Sequence, residues 1–372
     1  MIVSIANNIT SPLGMTTAEN YAAVKASKSA LKHYEGHWGL PEAFVASLID
    51  RSKFTDTRYT IVEQVVIHSV TKALESANID TASPRVLFIF STTKGNVFLL
   101  DKREKGFPQE RVRLGMMARQ IASHFHNPNE PIVVSNACIS GVCAQIEAMR
   151  HLESGNYDYV IVSGFDIQSA FIVSGFQSFK ALSPEECKPF DANRHGLNLG
   201  DAAATIIYTR KDTVSENEWC AYRGAIRNDA NHISGPSRTG EGSYRALKYV
   251  LGDIDLQKIA FVNAHGTATP YNDEMESIAI DRAGLSNVPV NSLKGYYGHT
   301  MGAAGVLETI MSMQAIDDNN ILATRGFETL GVSREIKVTN QNQPTEKRAF
   351  IKLLSGFGGC NAALLMTKGG LQ

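Results

Sequence analysis

Three short stretches of this chain set a reactive side chain among small residues. SNACISGVCA places Cys138 after the apolar run Ile132-Val133-Val134 and before Val142, Ile146, Met149 and Leu152, which mark one face of a helix. A cysteine at a helix N-terminus meets unpaired N–H groups and the positive end of the helix dipole. Both favour the thiolate, the form that acts as a nucleophile. The same residue reads equally well as a small packed side chain or as a metal ligand, so partners must decide. Two histidine turns offer them. NAHGTATPYND sets His265 beside Gly266 after a strand-like run, and KGYYGHTMGAAG sets His299 beside Gly298 before a helix start rich in glycine and alanine. Side chains leaving strand ends at such turns commonly meet in one crevice of an α/β fold. Cys143, inside the helix, reads as structural. The absence of C-x-x-C and H-E-x-x-H argues against a metal site, and GFGG and GAAG match neither Walker A nor G-x-G-x-x-G.

The elements that must position these residues show in the hydrophobic pattern. Strand-like runs occur at Ile2–Ile5, Arg85–Phe90, Ile132–Ser135, Tyr159–Ser163, Ala203–Tyr208, Ile259–Asn263, Val288–Asn291 and Phe350–Leu354. Between them lie helical patterns such as IVEQVVIHSVTKALESA, with Val62, Val66, Val70 and Ala73 in register. Strands alternating with helices predict an α/β protein with buried, largely parallel pairing. PIVVSNACISGVCAQIEAMRHLESGNYD and VPVNSLKGYYGHTMGAAGVLETIMSMQAIDDNN share the order strand, small-residue turn, helix, which suggests an internal duplication. The polar stretch TRKDTVSENEWC is the natural boundary, giving halves at 1–212 and 213–372, the first carrying the cysteine and the second both histidines.

Bulk properties exclude several classes. A chain of 372 residues fits two domains or one large duplicated unit. Its 43% hydrophobic and 20% charged residues are ordinary for a protein with a large core. A net charge of −1 gives no reason to expect nucleic acid or an anionic membrane as partner. Five scattered cysteines fit a reduced compartment better than a disulfide scaffold. No apolar run approaches the roughly 20 residues of a spanning helix, and the N-terminus lacks a basic signal segment. The expectation is a cytoplasmic protein with no membrane insertion.

NACISG, VNAHGTATPYND, SLKGYYGHTMGAAG and LSGFGG, in this order, resemble the β-ketoacyl-acyl carrier protein synthases, most closely the elongating Cys-His-His subclass. KPFDANRHGLNLGDAAATIIY and NDANHISGP are similar to two further family segments. The resemblance implies a thiolase-like α/β fold of duplicated αβαβα layered halves with mixed five-stranded sheets. It implies a decarboxylative Claisen condensation of malonyl-carrier with a Cys138-bound acyl chain, in fatty acid or polyketide/polyene synthesis. By the same resemblance the Cys138 and Phe357 amides form an oxyanion hole and Phe357 gates the pocket. His265 and His299 bind the enolate oxygen, Lys294 organises them, and Thr267 and Thr269 hold the phosphopantetheine arm. No cofactor or metal is implied beyond that arm on acyl carrier protein. The implied partners are the carrier and a second ketosynthase subunit, as a homodimer or a heterodimer.

Departures from the family pattern mark what transfers least. Asp201 stands where a glutamate usually partners the lysine, and Cys360 replaces a common threonine after the GFGG turn. Ser355 replaces the first phenylalanine of that turn. STTKGN, residues 91–96, is polar where many members have a glycine-rich apolar turn, so the acyl chain is the property left most open. Arg58 and Arg194 are candidates for a basic rim that docks the acidic carrier. The rival readings are a structural or chain-length-setting subunit of a heterodimer, and a thioester hydrolase or thiolase-type acyltransferase. Retention of Cys138, His265, His299 and Lys294 argues against the first rival, and the His299 turn fits a thiolase poorly.

Overall fold

The computed structural model describes residues 1–101 and 106–370. Ten strands build two halves of the same design. In the first half they are β1 (Ile2–Thr10), β2 (Val86–Ser91), β3 (Ile132–Val134), β4 (Tyr159–Asp166) and β5 (Ala202–Arg210). In the second they are β6 (Trp219–Asn228), β7 (Ile259–Asn263), β8 (Pro289–Asn291), β9 (Ala349–Gly356) and β10 (Cys360–Lys368). The first half runs β1-β5-β4-β2-β3 and the second β6-β10-β9-β7-β8. In each half the first two pairings are antiparallel and the last two parallel. Matching strand order and matching polarity establish the duplication. The expected separate five-stranded sheets are joined, because Ile2, Val3 and Ser4 of β1 also pair with Ala221, Cys220 and Trp219 of β6. With the short edge Lys337–Val338, this makes one eleven-stranded mixed sheet.

The strand interiors explain the layering. VLFIFS of β2 is buried along its whole length, as a strand covered on both faces must be. Helices α1 (Thr17–Lys25), α2 (Ile61–Leu74) and α3 (Leu114–His124) belong to the first half, and α2 and α3 cover its outer face with Val62, Val66, Val70 and Met117. Helices α4 (Ser140–Glu153) and α5 (Ala170–Ser178) follow. In the second half α6 (Glu241–Leu251) and α7 (Pro270–Arg282) cover the opposite outer face, and α8 (Ala304–Asp317) completes the set. Helices α4 and α8 pack on each other and on strands of both halves. Helix α8 is buried on every side from Ala304 to Met313, which only a central layer allows. Among the described residues no helix is long and apolar enough to cross a membrane.

The two central helices cross backbone against backbone. A Cβ on Gly305 would lie 2.4 Å from Val142 N, and one on Gly141 would lie 2.9 Å from Gly305 Cα. The Gln145 side chain fastens the crossing by donating to the Gly141 and Gly305 carbonyls, 3.0 Å each. Because the obstructing atoms are backbone, side-chain repacking cannot relieve the clash. Gly305→Ala should therefore lower stability by about 1–3 kcal/mol. The shift of the urea unfolding midpoint, at unchanged slope, is the measurement that checks it.

Candidate active site

Each reactive residue is delivered by a turn with unusual backbone. Cys138 lies between β3 and α4, directly after Ala137 at φ +45°. Ser140 Oγ holds that turn, accepting from Asn136 N (2.8 Å) and donating to the Ala137 carbonyl (2.6 Å). His265 follows β7, and its amide donates to Glu276 Oε1 on α7 at 2.6 Å, while Gly266 N donates to Oε2 at 2.6 Å. His299 follows Gly298, which takes φ +68° and where a Cβ would lie 2.5 Å from the Leu199 carbonyl oxygen. The His299 amide donates to the Asn198 carbonyl at 2.6 Å, so the loop before β5 anchors the second half's histidine. Non-glycine residues at positive φ cost energy that surrounding structure must repay, and here they flank the reacting groups.

The three side chains converge. Cys138 Sγ and one ring nitrogen of each histidine lie within 4.8 Å of one another. The two imidazoles meet edge to face, with centroids 4.9 Å apart and planes at 81°. Met301 N donates to His299 Nδ1 at 3.3 Å, which leaves the proton on Nε2. Among the described residues that Nε2 is buried with no hydrogen-bond partner, and so is His265 Nδ1. Burial, reinforced by the nearby Lys294 ammonium, holds both histidines well below the ordinary imidazole pKa. They are neutral at physiological pH, so each ring offers one N–H donor rather than a cation.

Burial also decides the state of the thiol. The helix end alone suggests an easily formed thiolate, yet Cys138 lies two residues before Ser140, the first residue of α4, and desolvation pushes its pKa up to about 12. Removing charge from water outweighs the partial charge of the helix end. A resting thiol is the result.

Behind the histidines lies a buried ion triad. Glu308 of α8 bridges Lys294 and Lys352, accepting from Lys294 Nζ through Oε1 and from Lys352 Nζ through Oε2 at 2.5 Å. Burial favours a protonated Glu308, but the two ammonium groups win and hold its carboxyl below the usual range. Burial pushes the Lys352 ammonium down to about 8. Lys352 also donates to Asn263 Oδ1 (2.7 Å) and the Ala264 carbonyl (3.2 Å), immediately before His265. Asp201, which stands where the family has a glutamate for this lysine, makes no direct ion pair with Lys294. Its carboxylate accepts from the backbone amides of Ile49 (2.9 Å) and Gln168 (2.6 Å), and burial raises its pKa to about 7. The short aspartate serves its own backbone loops, and Glu308 reaches the lysine from another helix.

A cavity of about 490 Å³ leads to the three residues. Thr267 and Thr269 line it with their hydroxyls 2.9 Å apart. Phe357, 40% exposed, stands at its lip against Phe176 (centroids 6.1 Å) and Phe179 (5.8 Å). A Cβ on Gly356 would lie 3.1 Å from Cys138 N, so the turn after β9 runs beside Cys138. His195 of KPFDANRHGLNLG and His232 of NDANHISGP also border the cavity, and so does Lys180, which no motif marks. Arg194 is taken up inside the protein, donating to the Gly331 carbonyl (2.6 Å) and lying 3.9 Å from Asp273. Arg58 pairs with Asp56 at 2.7 Å. Cys360 Sγ contacts the Phe357 carbonyl at 3.3 Å as a buried turn residue.

Comparison with known proteins agrees with this geometry. The family described as Beta-ketoacyl synthase, N-terminal domain, matches residues 2–213, and Beta-ketoacyl synthase, C-terminal domain, matches residues 221–328. The chain belongs to the β-ketoacyl synthase family. It is 31% identical to 3-oxoacyl-[acyl-carrier-protein] synthase 2 of Rhizobium meliloti over 70% of this chain and 66% of that protein. It is 25% identical to the synthase of the same name from Coxiella burnetii over 97% of this chain and 96% of that one. The chain thus spans about two thirds of the first relative and nearly all of the second. A ketosynthase from Xenorhabdus doucetiae, solved with its chain length factor, superposes with a TM-score of 0.86. It is 23% identical, covering 99% of this chain and 98% of that one, and it establishes the thiolase-like fold.

Two outcomes follow from the electrostatics. Glu308→Gln leaves two buried ammonium groups facing a neutral amide and should cost about 3–5 kcal/mol in chemical unfolding. Because desolvation keeps His265 and His299 neutral, their ¹⁵N imidazole shifts should stay at neutral values as pH falls to about 5.5. A transition centred near 6.5 at either residue would show a solvated ring instead.

Proposed function

We propose that this protein is a β-ketoacyl-acyl carrier protein synthase that performs decarboxylative Claisen condensation. The observation that carries the reading is the convergence of one thiol and two neutral imidazoles at the base of a cavity that admits a slender thioester arm. Cys138 attacks the acyl thioester, and the amides of Cys138 and Phe357 are placed to stabilise the oxyanion. Loss of carbon dioxide from malonyl-carrier leaves an enolate, whose oxygen meets the donors of His265 and His299. Lys294 and Lys352, held by Glu308, fix the backbone behind them and keep the rings uncharged. The enolate carbon then attacks the Cys138 thioester and extends the chain by two carbons. Thr267 and Thr269 are placed to bind the phosphopantetheine arm, and no metal or other cofactor takes part.

The partner side of the proposal rests on relatives and on one sheet edge. The Xenorhabdus ketosynthase was solved with a chain length factor, and another solved relative with its acyl carrier protein. In this chain β3 ends the sheet, with one side of its backbone unpaired, directly before the Cys138 turn. A second ketosynthase-type subunit pairing there gives a cytoplasmic dimer. The complete set of reacting groups favours a catalytic subunit over a purely structural one.

Intact-mass analysis after incubation with acyl-carrier protein tests the assignment. Wild type should gain one acyl mass and Cys138→Ala none. His299→Ala should keep acylation but lose about 10²–10³-fold in malonyl decarboxylation, the usual cost of one oxyanion donor. Failure of wild type to take up any acyl group across a broad carrier panel overturns the reading.

A further inference from the structure

Lys94 is a cation that the condensing scheme leaves unused. It follows β2 in a turn where Gly95 takes φ +54°. Asp166, at the end of β4, holds that turn by accepting from Thr92 Oγ1 (2.7 Å), Thr93 N (3.0 Å) and Thr93 Oγ1 (2.7 Å). The same carboxylate accepts from Gly302 N at 2.8 Å, so it ties the Lys94 turn to the turn that follows His299. Lys94 Nζ donates to Thr93 Oγ1 at 2.6 Å and to Met301 Sδ at 2.9 Å. Met301 N in turn donates to His299 Nδ1, and the His299 ring faces Cys138. The ammonium therefore lies behind the cavity lining, against the side chain of Met301, whose backbone holds the imidazole beside Cys138.

Its partners leave it a charge to spare. One is a hydroxyl and the other a thioether, a weak acceptor. Among the described residues no carboxylate lies within 4.0 Å of Lys94 Nζ, whereas Lys294 is held by Glu308. The titratable groups acting on Cys138 are Lys94, Lys294, Asp166 and the Cys360 thiol, with the neutral rings of His265 and His299 beside them. Asp166 opposes a thiolate and also acts on Lys94 through the shared Thr93 hydroxyl, while donors from Thr92, Thr93 and Gly302 hold its carboxylate in place. Of the charges that favour the Cys138 thiolate against burial, Lys94 is the strongest. Burial lowers the Lys94 pKa, and Asp166 and the Cys138 thiolate oppose that fall.

We propose that Lys94 is a positioning residue whose ammonium, free of direct carboxylate contact among the described residues, stabilises the Cys138 thiolate. Sulfur carries the negative charge at two moments. In acyl loading, Cys138 Sγ forms a bond to the acyl carbon while the bond to the carrier's sulfur breaks. The proton lost by Cys138 ends on the carrier thiol. In condensation, the enolate carbon bonds to the same acyl carbon, and the electrons of the breaking C–Sγ bond return to Cys138 as thiolate. Lys94 favours both steps. The assignment of these steps rests on the condensing function proposed above, but the effect on the thiol is measurable without any acyl substrate.

The test is the rate of Cys138 carboxamidomethylation by iodoacetamide between about pH 6 and pH 10, localised by peptide mass. Lys94→Met should displace the whole rate-against-pH curve upward by about one unit, slowing alkylation about tenfold at neutral pH. Lys94→Arg should restore most of the wild-type profile. Exchange of a buried charge for an apolar side chain is commonly tolerated by the fold. Should Lys94→Met fail to fold, Lys94→Gln compared with Lys94→Arg gives the same reading. Superimposable curves for wild type and the neutral variant overturn the proposal. So does an altered acyl-chain preference with an unmoved pH curve, since Lys94 would then read the substrate rather than the sulfur. A displaced curve in a protein that accepts no acyl group supports Lys94 and rejects the condensing function instead.

Discussion

The crossing of α4 and α8 at Gly141 and Gly305 is the constraint on which the active site depends. Each helix begins a few residues after a reactive side chain, Cys138 in one case and His299 in the other. Contact of the two backbones fixes the separation of the helix starts with no side chain between them. A thiol from the first half and an imidazole from the second can then share a space of a few ångströms. The duplication supplies the symmetry for this meeting: equivalent turns, each after the third strand of its half, face each other across the central layer.

Once the site is that dry, electrostatics acts at full strength. Desolvation pushes Cys138 up and the histidines down, so each resting group is neutral. Behind the histidines three charges remain and are bound to one another, with Glu308 between two lysines. Such a triad adds little to stability compared with apolar packing, but it confines two ammonium groups behind His265 and His299. Neutral donors suit an enolate that appears only transiently, because a permanent imidazolium would bind the ground-state carboxylate as well.

Much of this was legible in the sequence, and the failures have particular causes. Eight strands show as β-branched or aromatic runs, and all eight form. Strands β6 and β10 were missed because WCAYRGAIRN mixes small and charged residues and CNAALLMTK lacks a β-branched run. The three reactive residues stand out because each pairs a functional side chain with a tight turn. Glu308 and Lys352 carry a subtler signal, a lone charge inside the apolar runs AGVLETIMSM and FIKLL, where a charge survives only if paired. Asp201 misled because matching position along the chain does not reveal which helix supplies the nearest carboxylate. Phe176 and Phe179 at the cavity mouth come from the end of α5, whose approach to the Phe357 turn periodicity does not encode.

The split pairing of β1 bears on how the chain is made. Its residues pair with β5 from Ile2↔Arg210 to Thr10↔Ala203, and its first three also pair with β6. This strand must therefore wait during synthesis for partners about two hundred positions later. Until then it is an unpaired strand with both edges open, the kind of segment that invites association with other chains. The asparagines and serine of IVSIANNIT temper that hazard. Closure of the first strand is thus a late event in synthesis, and the nucleophile's half cannot be completed by its own N-terminal residues alone.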